Sequence, residues 1–390
     1  MIKLNKIITI IGGGTPSKLI SHYWNGSIPW ASVKDLRSDY IEKTIDSISL
    51  EAVSNSATQI IPKGSIIIGT RMAVGKVSIN LVDLAINQDL KAIICSDKVF
   101  YKYLFYFFKS KEECLNSLAS GATVKGIKLE HIKNLEIPLP PLATQKHIAD
   151  ILDAADALRR KTQQIVDSYD ELAQSLFLEM FGDPFKNSKN WELIEFEKLG
   201  SLDRGKSKHR PRNAPELLGG SHPLIQTGDI ANAPLYIKNY KSTYSDIGLA
   251  QSKKWPKGTL CITIAANIAK CSILSFEACF PDSVVGFIPN DKTVNEYIYF
   301  LLSILQGSIE ELAPAAAQKN INLKFLRELQ IPTPPIDLQN QFAKKIALIE
   351  QQKELARQSL AESENLFNAL LQKAFKGELV PEPQPAEQAV

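Results

Sequence analysis

The feature that most constrains this chain is that it is written twice, at a spacing of 194 residues. Leu129 to Pro141 reads LEHIKNLEIPLPP, and Leu323 to Pro335 reads LKFLRELQIPTPP. Ile137 matches Ile331, Pro138 matches Pro332, Pro140 matches Pro334 and Gln145 matches Gln339. The same offset, without a gap, pairs Pro62-Lys63-Gly64 with Pro256-Lys257-Gly258, Asp35 with Asp229, Lys76 with Lys270, Tyr103 with Tyr297 and Lys125 with Lys319. A long-period repeat of this kind identifies two copies of one structural plan. A chain of 390 residues accommodates two ordinary domains with additional elements.

Each copy runs from a mixed globular part through a proline-rich hinge into a long helix. Proline lacks an amide donor and drives its predecessor toward extended backbone, so IPLPPL and IPTPPI should leave their domains as stiff straps. From Ala143 to Phe181 there is no glycine or proline, and apolar residues return at heptad spacing. One column holds Ile151, Leu158, Ile165 and Leu172, the other Ile148, Ala155, Tyr169 and Leu176. Gly182-Asp183-Pro184 should stop this helix. The second helix, Leu338 to Phe375, places Phe342, Ile349, Ala356 and Leu370 in one column and Ile346, Leu360 and Phe367 in the other, interrupted by Lys353 and Ser363. Lone helices of this length bury too little to be stable, so the two stripes are expected to bury each other.

The globular parts are read as α+β with a twisted sheet. Short β-rich runs, Gly64 to Ile68 and Lys76 to Ile79, precede a helix over Val99 to Phe108, and the second copy follows with Leu260 to Ile264 and Asn295 to Leu305. The proposed boundaries are domain 1 at 1–141, helix 1 at 142–184, domain 2 at 185–335, helix 2 at 336–377 and a disordered tail at 378–390.

No standard catalytic motif survives inspection. GTRMAVGK at Gly69 to Lys76 fails the phosphate-loop pattern in spacing, and Val77 replaces the hydroxyl that would hold magnesium. Gly12-Gly13-Gly14 fits neither that loop nor a dinucleotide fingerprint and is read as a turn. Pro281-Asp282 lacks the acid-x-lysine partner of a metal-dependent nuclease. The five histidines and five cysteines show no metal-ligand spacing, and the cysteines are read as buried free thiols. A methyltransferase would need a glycine-rich cofactor turn and an Asn or Asp before Pro-Pro, and the Pro-Pro pairs here belong to the hinges instead. The run Ile7 to Ile11 is too short for a signal segment or membrane span, so a cytoplasmic protein without membrane association is expected.

The duplicated I-P-x-P-P hinges, each followed by Gln145 or Gln339 opening a helix, make the chain resemble the specificity subunits of Type I restriction-modification systems over nearly its whole length. Pro-Lys-Gly at both sites, Asn87-Gln88-Asp89 and Gln226-Thr227-Gly228-Asp229 add to the resemblance. It implies two target-recognition domains in pseudo-two-fold arrangement, separated by two antiparallel coiled-coil helices. It implies double-stranded DNA as ligand, and two modification subunits and restriction subunits as partners. S-adenosylmethionine, ATP and Mg would then serve those partners, with no cofactor, metal or catalytic residue in this chain. Two different readers on one spacer should recognise an asymmetric bipartite target. A spacer of roughly 57 Å reaches roughly 17 base pairs at most.

A net charge of +3 says little about nucleic acid, but its distribution says more. Lys206, Lys208, His209, Arg210 and Arg212 crowd together without an acid between them and are the first candidates, mostly for phosphate. Arg210 or Arg212 could instead bond guanine, and Gln226 or Asn267 adenine. Lys18, Lys34, Arg71, Lys76, Lys125, Lys270 and Lys319 complete the candidate set, although a solvated loop or a scaffold role would account for the same pattern. The candidate coiled-coil and partner interface is Ile148, Ile151, Leu158, Ile165, Leu172, Phe342, Ile349, Leu360 and Leu370. Two rival readings remain at this stage: the DNA-binding part of a catalytic nuclease or methyltransferase, and a coiled-coil adaptor that binds no DNA.

Overall fold

In the computed structural model, residues 1–121, 123–209, 211–265, 268–312 and 321–379 are described. The chain divides into two compact units, Met1–Gln163 with Gln358–Val390, and Gln164–Arg357. The division falls within both long helices, so each unit owns one end of each.

In the first unit a five-stranded sheet runs in the order Ile8–Gly12, Leu90–Cys95, Ile66–Gly69, Val77–Asn80 and Tyr40–Ile41. All neighbours are antiparallel except the last pair. A four-stranded sheet follows the order Asp46–Ile48, Ile28–Ala31, Leu84–Ile86 and Ile60–Ile61, its middle pair parallel. The Ile66–Gly69 strand is buried on both faces, which explains its unbroken apolar run. Ile66 and Ile68 face a core filled by Tyr103, Phe105, Phe107 and Phe108 of the helix Tyr101–Ser110, while Ile67 faces Ala31, Leu84 and Ile86.

The second unit repeats this order and these directions strand for strand. Its five-stranded sheet is Gly200–Arg204, Val284–Pro289, Leu260–Thr263, Cys271–Leu274 and Tyr236–Ile237. Its four-stranded sheet is Ser242–Tyr244, Leu218–Leu224, Ala278–Cys279 and Lys254–Trp255. Leu260 and Ile262 join one core and Cys261 the other, as in the first copy. The repeat is not free of gaps, however. The central strands keep the offset of 194, but Ile8–Gly12 corresponds to Gly200–Arg204 and Tyr40–Ile41 to Tyr236–Ile237, so short length changes lie in the loops between them.

The hinges are extended, as proline dictates, and tightly anchored. Glu136–Ile137 pairs with Ile2–Lys3, and Gln330–Thr333 with Glu192–Glu195. The repeated tyrosines hold them: Tyr103 donates its hydroxyl to the Pro138 carbonyl at 2.9 Å, and Tyr297 to that of Pro332 at 2.5 Å. The long helices then run over Leu142–Phe181 and Ile336–Lys376. Gly182, at φ +81°, closes the first with its amide on the Leu178 carbonyl.

Within each unit the two helices are antiparallel. In the first, Ile148, Leu152 and Ala155 near the start of one helix share a core with Phe367, Leu371 and Ala374 near the end of the other. In the second, Ala173, Phe177 and Phe181 meet Phe342 and Ile346. On the first helix Ile148 and Ala155 of one expected column are buried, but the other column needs correction by one residue. Ile151 is half-buried, and Leu158, Ile165 and Leu172 are 50%, 43% and 50% exposed, while Leu152, Val166 and Ala173 turn inward. The reason is Gln145, completely buried, whose Oε1 accepts from the Phe100 amide at 2.8 Å and whose Nε2 donates to the carbonyls of Lys98 and Pro140. That tether sets the rotation of the helix, and at heptad steps after it Leu152, Val166 and Ala173 are buried, with Arg159 and Met180 part-buried on the same column. Gln339 does the same for the second helix through Thr293, Val294, Lys292 and Pro334. There the expected columns agree: Phe342 is buried, Ile349, Leu360 and Leu370 are half-buried.

Of the two polar interruptions in the second helix, Ser363 is buried and donates its hydroxyl to the Leu360 carbonyl at 2.8 Å, and Lys353 makes an ionic contact. Lys353, buried, bonds Asp170 in the second unit. In the first unit Asp156 is fully buried between Arg159 at 2.7 Å and Arg160 at 2.8 Å. Burial alone would raise its pKa, but the hydrogen bond from Arg159 and the charges of Lys109 and Arg160 outweigh it and hold the carboxyl below its ordinary range.

Candidate nucleic-acid interface

In the first unit the candidate residues fall on loops at the ends of the two sheets. The glycine run, read from sequence as a turn, is instead a place of close backbone approach. A Cβ on Gly13 would lie 2.2 Å from the carbonyl oxygens of Ile86 and Asn87. This squeeze lays the following loop on the Asn87-Gln88-Asp89 turn, where Thr15 donates its hydroxyl to Gln88 Oε1. The turn is locked by Asn87, which accepts from the Asp89 amide at 3.1 Å and donates to its carboxylate at 3.2 Å. Thr70 and Arg71 both donate their amides to the Asp89 carbonyl.

Arg71 and Lys125, far apart in sequence, are thus brought together. Met72 donates its amide to the Lys125 carbonyl at 3.1 Å, and Arg71 bridges to Gly126. Arg71 remains 54% exposed and lies 3.7 Å from the Asp89 carboxylate. Lys76 is exposed at the far end of the same loop. Lys18 and Lys34 are exposed on two other segments: the stretch after Thr15 and the short turn Val33–Asp35, which Ser32 caps. The neighbouring Lys91 was not a candidate from sequence. Half-buried, it is drawn by Asp89, but burial prevails and lowers its pKa.

In the second unit Gly205 makes the same approach, with a Cβ 2.2 Å from the Phe280 carbonyl oxygen. The basic segment leaves from it: Lys206, Lys208 and His209 are exposed and Ser207 is buried between them. Its backbone is laid on a neighbouring segment, with the Lys208 and His209 amides on Gln251 Oε1 at 2.7 and 3.1 Å. Arg212 donates to Asp282 Oδ1 at 2.5 Å. With Gln226, Thr227, Tyr244 and Ser283 it lines a recess of about 230 Å³. So Arg212, Gln226 and the acid of Pro281-Asp282 meet, which spacing alone did not reveal. Lys270 is exposed on the hairpin end that matches Lys76, its carbonyl accepting from Thr263 as that of Lys76 accepts from Gly69. Arg210, Asn267 and Lys319 lie outside the described residues.

Neither surface assembles chemistry. Among the described residues no group of three His, Cys, Asp or Glu side chains is placed to hold a metal, and no helix is long and apolar enough to cross a membrane. Cys261 and Cys271 are buried free thiols, and burial pushes the pKa of Cys271 up to about 12. Cys114, by contrast, is exposed and Cys95 half-buried, so the expectation of buried thiols holds only in part.

A duplicated α+β chain with exposed cationic loops at matching sheet ends, and a long helix in each copy, defines a two-domain protein with paired basic surfaces, the electrostatic footprint suited to nucleic acid. The chain belongs to the Type I restriction modification DNA specificity domain family, whose model matches residues 1–167 and 188–365. It is 27% identical over 357 residues to the Type I restriction enzyme MjaIX specificity subunit of Methanocaldococcus jannaschii, covering 83% of this chain and 79% of that one. It is 34% identical over 173 residues to the EcoR124I/EcoR124II specificity subunit of Escherichia coli, covering 43% of each. The fold matches the crystal structure of the S subunit from M. genitalium with a TM-score of 0.59 at 16% identity, over 96% of this chain and 95% of that one. A chain solved in work on complex assembly and conformational transition of the type I R-M system matches with a TM-score of 0.57 at 18% identity, over 97% of both. Specificity subunits are the non-catalytic, DNA-recognition component of these systems, and this chain has that role.

Proposed function

We propose that the two domains, at 1–141 and 185–335, read the two unlike halves of an asymmetric split target, and that the helices at 142–184 and 336–377 set the gap between them. The observation that carries this reading is a single topology present twice whose cationic loops differ in sequence. The first copy offers Arg71, Lys76 and Lys125, and the second Lys206, Lys208, His209, Arg212 and Gln226. Exposed Leu158 in the first unit, exposed Ile165 and Leu172 in the second, and Leu348 and Leu355 on the other helix supply apolar surface for modification subunits. Restriction subunits join that assembly, in the cytoplasm.

Phosphate contacts neutralise charge and release counterions, so their loss lowers the salt dependence of binding. For the subunit assembled with its modification partners, Lys208→Ala combined with Arg212→Ala should reduce the slope of log K against log salt by about 2. Titration by fluorescence anisotropy at several salt concentrations measures it. An unchanged slope would refute the assignment of this loop.

The spacer reading makes a second prediction. Seven residues inserted after Arg159 and seven after Lys353 preserve the inward phase of both helices, whereas four would turn it by about 40°. The heptad insertion should lengthen the recognised gap by about three base pairs and leave both half-sites as they were. Sequencing of methylated sites in a random plasmid library reads both quantities, and an unaltered gap or altered half-sites would exclude the spacer role.

A further inference from the structure

Met72 is out of place by the ordinary rules of a protein surface. It is 69% exposed, although it is a large apolar side chain, and its backbone sits at φ +65°, a region that non-glycine residues avoid. A residue held there calls for surroundings that over-determine it, and they are present. The loop from Thr70 to Lys76 closes the hairpin of Ile66–Gly69 and Val77–Asn80, with Gly69 and Ala73 amides on the Lys76 and Arg71 carbonyls. On one side its Thr70 and Arg71 amides are bonded to Asp89, and on the other Met72 is bonded to Lys125 and Ile127 to Thr70. The apex is therefore braced from two flanks, and the exposed thioether is presented by a fixed backbone.

The neighbours of that side chain define what it can meet. Arg71 precedes it and is 54% exposed, Lys125 is bonded to its amide, and Lys76 ends the loop. An apolar tip carried on the same braced loop as exposed Arg71, which lies 3.7 Å from the Asp89 carboxylate, and beside the backbone of exposed Lys125 suits a ligand that is apolar at one spot and anionic around it. Duplex DNA has that character in its major groove, where the thymine C5 methyl is the apolar feature of the base edges and phosphates line both rims. A two-stranded ribbon is also a shape the major groove admits. Resting on the assignment of the first domain as a DNA reader, we propose that Met72 is a specificity-determining residue that packs on a thymine methyl in one half-site, while Arg71 and Lys125 hold the flanking phosphates.

The test uses the full subunit assembled with modification subunits. Its wild-type methylation pattern on a random plasmid library first gives the two half-sites; the absence of any split pattern would count against the general reading rather than this one. Synthetic duplexes then replace each thymine of the target, one at a time, by deoxyuridine, which removes only the methyl. One replacement, in one half-site, should weaken wild-type binding about fourfold, the worth of burying one methyl-sized group. Met72→Gly accepts the positive φ without strain and so keeps the fold; it should bind the thymine and uracil duplexes equally, with the wild-type salt slope. Arg71→Gln should instead weaken both duplexes alike and lower that slope. The inference is overturned if no single thymine responds in the wild type, or if Met72→Gly still discriminates the responsive one.

Discussion

Phe177→Ala is expected to destabilise the second unit by about 3–5 kcal/mol, the usual cost of removing a fully buried phenylalanine from a core that cannot collapse around the gap. Phe177 has no exposed surface and is enclosed by rings from three directions. It stacks on Tyr297 at 5.6 Å with an interplanar angle of 19°, meets Phe342 edge-on at 5.7 Å and touches Phe181 at 5.1 Å. The ring therefore joins three elements: the end of the first long helix, the start of the second, and the helix Asn295–Leu312 that covers the sheet. Relaxation around the cavity is limited because Tyr297 is itself tied through its hydroxyl to the Pro332 carbonyl. Leu172→Ala on the same helix is the control, since Leu172 is half exposed and should cost well under about 1 kcal/mol. A chain with two units need not unfold in one step, so hydrogen exchange read peptide by peptide is the suitable measurement. Protection should fall over Tyr297 to Leu302 and remain over Tyr103 to Phe108. Equal losses in both units, or none, would contradict this account.

Gln145→Leu should cost the first unit about 3 kcal/mol, although it replaces a polar residue by an apolar one of similar size. The amide is completely buried and spends its capacity on three backbone groups: the Phe100 N–H and the Lys98 and Pro140 carbonyls. Leucine would strip three part-buried backbone groups of their side-chain partner, and a buried group left unsatisfied costs about 1–3 kcal/mol. The same change at Gln339 should act on the second unit through Val294, Lys292 and Pro334. Urea midpoints with exchange mapping would check both, and a change smaller than about 1 kcal/mol at either site would show that the tether is dispensable. Loss of the tether also frees the rotational setting of the helix. Exposed Leu158 and buried Leu152 should then become more alike in solvent accessibility, which oxidative footprinting can follow.

The repeat, the hinges and the helical stretches were legible because each is a local property of the chain. Proline and glycine act on their own neighbours, and heptad recurrence needs only one helix to be seen. The duplication even located the tethers, since Gln145 and Gln339 align at 194, though not what they do. The offset also implied one fold for both copies, and the strand orders agree throughout. The reading surfaces were legible only as a set of cations. Arg71 and Lys125, or Arg212, Gln226 and Asp282, meet because the sheets bring loops of distant sequence position to one end. The exposure and positive φ of Met72 have no signature in GTRMAVGK.

By itself, then, the sequence determined that there are two copies of one domain, each strapped by prolines to a long helix, because repetition, turn chemistry and periodicity are written in neighbouring residues. Only the tertiary structure decided which way those helices face. Ile151, Leu158, Ile165 and Leu172 form a better apolar heptad column than Leu152, Arg159, Val166 and Ala173 one step on, so periodicity alone points to the wrong face. The choice is made where the buried Gln145 amide meets the backbone of residues 98 and 100, a contact across more than forty residues. The same kind of long-range closure bonds Met72 to Lys125.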